Sequence, residues 1–308
     1  MILALAVSGL LLPALLGVLV GMLRLVDDPE AAVDHLNVFA LYVAFPALLF
    51  VGLARAEEPL PGGWAFWVAV PLALLLALVP LRPVGDRVGG AAGTLALTVS
   101  FGNVAYLGLP VVEVVLGPQA MGTASLVVGL HVVLSLLVGP LLLLLWGGGD
   151  ATGALGRSVR RVAVQPLLWA PLLGLASRLL PDGAREAAVA LVAPLGRAAA
   201  PVALFLLGLY LHTHAARVRS VDRVVVAHVV AKLVWLPLVT ACVLAILGLG
   251  RDEAAVILLL SSMPPAITTF ALARAWRQGA DRVAQAVVAG SGAAVVVVPL
   301  VAWWVRAG

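Results

Sequence analysis

Two apolar stretches of the chain are interrupted by residue types that bind ligands. From Ser100 to Pro110 the sequence reads SFGNVAYLGLP, placing a serine, an asparagine, a tyrosine, two glycines and a proline in apolar surroundings. From Ser261 to Phe270 it reads SSMPPAITTF, with two consecutive prolines flanked by four hydroxyl side chains. Pro264 and Pro265 lack a backbone N–H, and each clashes with the preceding turn of a helix. Carbonyls are left unpaired inside an apolar segment, which is tolerable only where protein or a water-filled cavity satisfies them. Unwound carbonyls can hold a cation, and the helix N-terminus that follows a break can hold an anion.

Single polar groups in other apolar segments add to this set. Lys232 lies about 13 Å from the nearer end of its segment at 1.5 Å per residue, a costly position that usually faces a cavity or a partner. His228 precedes it by four residues on the same helical face, so the pair could attract an anion or carry a proton-sensitive charge. His131 falls mid-segment and could line a cavity. Arg197 is expected near an interface, after a short lateral helix, and Asn37 and Tyr42 are candidates to face a functional core. Cys242 stands alone, so neither an intramolecular disulfide nor a cysteine metal site can form, and it reads as a small buried hydrophobe. No Asp or Glu falls at the middle of any apolar segment, which argues against cation exchange as the main activity.

The elements that must position these groups are membrane helices. Of 308 residues, 63% are apolar and 11% charged, against about 25% charged for a soluble domain, and the mean hydropathy is +1.14. Ten spans are expected, near 2–23, 33–54, 64–81, 91–116, 122–146, 162–180, 190–212, 223–249, 253–275 and 283–305. The first has no basic leader or small-residue cleavage site and reads as a retained helix. The net charge of +4 does not indicate nucleic acid, because the arginines sit in short loops. With the N-terminus outside, inner loops hold Arg24, Arg82, Arg87, Arg157, Arg160, Arg161, Arg217, Arg219, Arg223, Arg274, Arg277 and Arg282. Outer loops hold only Arg55, Arg178, Arg185, Arg251 and Arg306. The bias places both termini outside a plasma (inner) membrane and the central linker in the cytoplasm.

That linker, 147–161, divides the chain into five-span halves, 1–146 and 162–308. Five is odd, so related halves would form an inverted repeat. FPALLFVGL in span two resembles APVALFLLGL in span seven, aligning Pro46 with Pro201 and Phe50 with Phe205. Spans three and eight share a Pro-Leu at Pro71 and Pro237, and spans five and ten share one at Pro140 and Pro299. The two interruptions both fall in the fourth span of a half, and interrupted segments at corresponding positions point to a transport site.

GNVAYLGLP in span four, MPPAITTF in span nine and KLVWLPL in span eight resemble the auxin efflux carrier family of membrane transporters. The resemblance covers nearly the whole chain. It implies an all-α membrane fold of ten helices in two inverted five-helix repeats, with broken helices four and nine crossing, as in sodium/proton antiporters. It implies a core of spans 3–5 and 8–10 moving in elevator fashion against a scaffold of spans 1, 2, 6 and 7, through which a homodimer would form. Small organic anions are the implied substrates: auxin-like compounds or carboxylates such as malate and malonate. Asn103 matches the span-four asparagine. With it, Tyr106, Pro110, Pro264, Pro265, Thr268, Thr269, Lys232 and His131 form the expected binding set, and His228 a coupling or charge-tuning group. Thr268 and Thr269 stand where the family often carries an asparagine, a departure that bears on the substrate.

A sodium-coupled bile-acid-like symporter or a cation/proton antiporter would show the same two breaks. A membrane-embedded enzyme is the remote alternative, as HExxH, GxSxG and P-loop motifs are absent. No cofactor or metal site is expected.

Overall fold

The computed structural model describes residues 2–56, 60–61, 63–89, 91–148, 154–215 and 221–307. Arg217, Arg219 and part of the linker lie outside the described residues. The fold is all-helical: α1 (Ile2–Met22), α2 (Pro29–Phe39), α3 (Phe45–Ala54), α4 (Trp64–Leu78), α5 (Leu81–Arg87), α6 (Ala92–Ser100), α7 (Leu109–Leu116), α8 (Met121–Gly147), α9 (Ala154–Ala163), α10 (Pro166–Ser177), α11 (Asp182–Ala215), α12 (Arg223–Val230), α13 (Leu236–Leu247), α14 (Arg251–Ser261), α15 (Ile267–Ala275) and α16 (Ala280–Ala307). Among the described residues, six helical stretches are long and apolar enough to cross a membrane: Pro29–Ala54, Trp64–Arg87, Pro118–Gly147, Asp182–His214, Arg223–Leu247 and Ala280–Arg306. Shorter apolar helices include Val104–Leu116 and Pro166–Ser177.

Proline shapes these helices from within. Wide π-turns at Ala40–Ala44 and Ala231–Trp235 join α2 to α3 and α12 to α13. Each precedes a proline, Pro46 or Pro237, which has no N–H to return to the carbonyl four residues back. The residue before the proline bonds five residues back instead: Phe45 N–H to Ala40 O, and Leu236 N–H to Ala231 O. A third π-turn, Val104–Gly108, leads into α7 and Pro110.

The residues group into two compact units. The first comprises Met1–Leu60, Ala105–Gly129 and Gln165–Ala216. Its helices meet at glycines, the usual device where lipid supplies no drive for association. A Cβ on Gly208 would fall 1.8 Å from Ala14 O, and one on Gly174 would fall 2.5 Å from Phe50 O. The second unit comprises Pro61–Val104, Leu130–Val164 and Arg217–Gly308. Leu74, Leu78 and Leu81, Leu95 and Val99, and Val224, Ala231 and Leu236 form its core. Trp235 Nε1 donates to Ala77 O at 2.9 Å, tying the π-turn to α4.

Large apolar side chains also point outward, among them Leu172, Leu173, Ile246, Val296 and Leu300, as surfaces facing hydrocarbon should. Trp64, Trp303 and Trp304 are exposed near helix ends, where aromatic belts form. Two expectations are corrected here. Cys242 is exposed on α13 rather than buried, because an apolar side chain in a membrane helix is equally at home against lipid. Arg197 does not follow a separate lateral helix. It lies exposed within α11, one continuous helix of 34 residues that accommodates Pro194 and Pro201. The later part of the linker belongs to α9, and the Arg157 guanidinium lies 4.7 Å from the Trp276 ring centroid.

Candidate functional site: the crossing of two broken helices

Within the second unit, the breaks in spans four and nine meet. Helix α6 ends at Ser100 because Phe101 turns extended, at φ −105° and ψ 95°. Helix α14 ends at Ser261, ahead of Met263 and the two prolines. The extended residues pair as a single antiparallel bridge, Gly102 opposite Pro265. Asn103 N–H donates to Pro264 O at 2.8 Å, and Ala266 N–H donates to Phe101 O at 2.9 Å. This register suits the sequence. The directly opposed residues of such a pair exchange no N–H bonds, so Pro265 gives up nothing by lacking one. Gly102 has a spare N–H, and His131 Nε2 accepts it at 3.1 Å.

The carbonyl end of α6 is closed by groups from other helices. Leu97 O accepts from Phe101 N–H. Val99 O accepts from Lys232 Nζ at 3.3 Å. The Ser135 hydroxyl lies 2.5 Å from Ser100 O and 2.7 Å from His131 O of its own helix, and shares one hydrogen between them. At the end of α14, the Ser261 and Ser262 hydroxyls fold back to Leu258 O at 2.7 and 2.9 Å. These bonds answer the accounting problem of an unwound backbone in hydrocarbon.

The donor side is less complete. Helix α15 starts at Ile267 with Ala266 as its cap residue and no side-chain cap; Thr269 N–H donates to Ala266 O at 3.0 Å, while the N–H groups of Ile267 and Thr268 stand too early in the helix for an intrahelical partner. Thr269 Oγ1 donates to Ala266 O at 2.6 Å and is committed, while Thr268 is only half-buried. Asn103 is 3% exposed, and its amide Nδ2 is buried with no hydrogen-bond partner among the described residues. A buried, unpaired donor costs free energy and calls for an explanation. Asn103 sits one residue along the chain from the bridge residue Gly102, opposite Pro264. The local field is positive at the start of α15 and negative at the end of α6.

Small residues let the helices close on this point. A Cβ on Gly102 would lie 2.9 Å from Lys232 Nζ, one on Gly139 would lie 2.7 Å from the Phe101 ring, and one on Gly290 would lie 2.8 Å from Pro265 Cδ.

Of the residues singled out from sequence, Asn103, Pro264, Pro265, His131 and Lys232 converge here, with Thr268 and Thr269 in the first turn of α15. His228 is fully buried but bonds elsewhere, to Val224 O at 2.7 Å and Thr94 Oγ1 at 3.0 Å. It packs on the first turn of α6, whereas Lys232 packs on its last. Tyr106 belongs to the first unit, where its hydroxyl donates to Asn37 Oδ1 and its ring stacks on Phe45 at 4.8 Å. Pro110 lies in the first turn of α7 of that unit. Tyr42, on the same helical stretch as Asn37, is exposed. Sequence reading missed Ser135, and it placed Ser100 and Gly102 in the interruption without including them in the expected binding set. Ser135 carried a faint signal, a hydroxyl four residues after His131 on one face of an apolar helix. Among the described residues, no cluster of His, Cys, Asp and Glu has the make-up of a metal site.

A family model described as "Membrane transport protein" matches residues 7–303. A protein of Rhizobium meliloti (strain 1021), named "Putative malonate transporter", is 28% identical over 322 residues, covering 98% of this chain and 97% of the relative. With the multi-pass helical architecture and the paired breaks at Asn103 and Pro264–Pro265, the match over nearly the full length has one reading: the chain belongs to the membrane transport protein family, that of the auxin efflux carriers.

Proposed function

We propose that this membrane transporter carries small organic anions, carboxylates of the malonate and malate class, by elevator-type alternating access. The observation that carries this reading is the Asn103 amide, buried with no hydrogen-bond partner among the described residues, at the crossing whose bridge residue Pro265 precedes the uncapped start of α15 by two residues. An amide donor and a helix N-terminus together suit a carboxylate, which accepts hydrogen bonds through both oxygens. The name of the Rhizobium relative agrees with that class. Pro264 and Pro265 hold the backbone open, and Thr268 offers a hydroxyl in the first turn of α15. His131 supports the bridge, and His228 is the candidate group for tuning charge. Tyr106 and Pro110 continue span four beyond the binding residues.

The proposed architecture is ten spans in two inverted five-helix repeats, 1–146 and 162–308, joined by the 147–161 linker. Both termini lie outside and the linker is cytoplasmic, in the plasma (inner) membrane. Spans 3–5 and 8–10 form the moving core and spans 1, 2, 6 and 7 a scaffold that also mediates a homodimer. The grouping of α4, α6, α12, α13, α14, α15 and α16 in one unit supports this division. The boundaries after Val104 and Gly129 fall within spans four and five, so the part of the core nearest the breaks is the best supported.

The test is thermal stabilisation of the purified protein by mono- and dicarboxylates, followed by flux into proteoliposomes. Malonate or a close relative is expected to raise the melting temperature of the wild type and to bind Asn103→Ala at least tenfold more weakly. Unchanged transport in Asn103→Ala would remove this site assignment.

A further inference from the structure

The crossing holds a fully buried lysine, Lys232, at the carbonyl end of α6. Lys232 is 0% exposed, and among the described residues no carboxylate lies within 4 Å of its ammonium. An ammonium has three hydrogens to donate, and the bond it makes is to Val99 O, one residue before the end of α6. The side chain is delivered there by the π-turn that Pro237 imposes, and it occupies the space that Gly102 leaves by having no Cβ. Lys232 therefore places its amine nitrogen at the negative end of a half-helix, inside the second unit.

Broken transporter helices commonly fill this position otherwise. Unwound carbonyls and the C-terminal ends of half-helices coordinate a bound sodium ion or proton, which balances the field around the crossing. We propose that Lys232 is a covalently tethered cation that takes the place of a bound alkali-metal ion at the carbonyl end of α6, so that the crossing is charge-balanced and ligand-competent without sodium. Val99 O is its direct ligand, Gly102 provides the space, and Ser135 closes the adjacent carbonyl, Ser100 O. Removing the ammonium vacates a carbonyl-lined position of the right polarity for a small monovalent cation. The assignment concerns the cation side of the crossing. It shares the site with the anion reading, but its test does not depend on an anion being bound.

The experiment measures melting temperature of the purified full-length protein in sodium chloride against choline chloride at matched ionic strength, without organic ligand. Wild type is expected to melt at the same temperature in both. Lys232→Ala is expected to melt lower in choline and to recover by several degrees, saturably, in sodium, as a ligand specific to the folded state requires. Lys232→Gln retains an N–H donor for Val99 O without the charge and serves as the milder variant, with the same sodium response expected. A saturable sodium effect on wild type would overturn the proposal, as would folded Lys232→Ala and Lys232→Gln proteins indifferent to the choice of cation. If neither variant is obtained folded in sodium, the exchange of one cation for another has failed and the proposal falls. Malonate titrations run in parallel separate the two readings. Sodium rescue without malonate binding would leave the tethered cation standing and remove the carboxylate site, and the converse would do the reverse.

Discussion

The backbone N–H of Gly102 donates to His131 Nε2 at 3.1 Å, a bond between the extended break of one span and the middle of the next. The acceptor nitrogen carries no hydrogen, so the ring enters the crossing as a neutral acceptor. His131→Ala would leave a buried N–H unpaired, and the expected loss is about 1–3 kcal/mol. His131→Gln, with a carbonyl acceptor on a flexible stem, should recover part of it. Thermal melts of both variants beside wild type give the order: wild type highest, then His131→Gln, then His131→Ala.

Asn103→Ala should behave in the opposite way in the ligand-free protein. Among the described residues the Asn103 Nδ2 has no bond to lose, and a buried polar group without a partner is a burden on the folded state. The melting temperature without ligand is expected to be unchanged or slightly higher, while the ligand-induced rise disappears. A large drop without ligand would show that the amide has a structural partner.

Gly290 on α16 lies against Pro265, where an added Cβ would come within 2.8 Å of Pro265 Cδ. Gly290→Val should push α16 off the crossing at an overpacking cost of about 1–3 kcal/mol and depress transport. Gly292→Ala, two residues along the same helix with nothing within 4 Å of its added Cβ, is the control and should retain both. Stability and flux measured on the pair separate loss of packing from any general intolerance of α16.

Asp222 caps α12 by accepting from Val225 and Val224 N–H at 2.9 and 3.0 Å. The Val225 bond first, and the Val224 bond with it, hold its carboxyl below the usual aspartate range. A depressed folded value means that the stabilisation is present above the ordinary aspartate pKa and is lost as pH falls through the lower, folded one. Melting temperature should decline on acidification in that window, and Asp222→Asn should remove this part of the decline while keeping much of the cap. Melts of the two proteins across acid pH test the sign. An identical slope would assign the acid sensitivity to another group.

The sequence alone determined the membrane class, the helical make-up and the two places where helices break. Those are local properties: hydropathy over a span's length, and the missing N–H of Pro264 and Pro265. It also supplied a short list containing Asn103, His131 and Lys232, because polar groups are conspicuous in apolar surroundings. It could not say what each would bond. His131 reaches Gly102 across 29 residues, Tyr106 reaches Asn37 across 69, and Lys232 reaches Val99 across 133. His228, equally conspicuous, bonds to Thr94 rather than joining Lys232 at the end of α6. Only the tertiary structure decided these pairings, because an unwound backbone in hydrocarbon takes its missing partners from whichever side chains the packing of other helices presents.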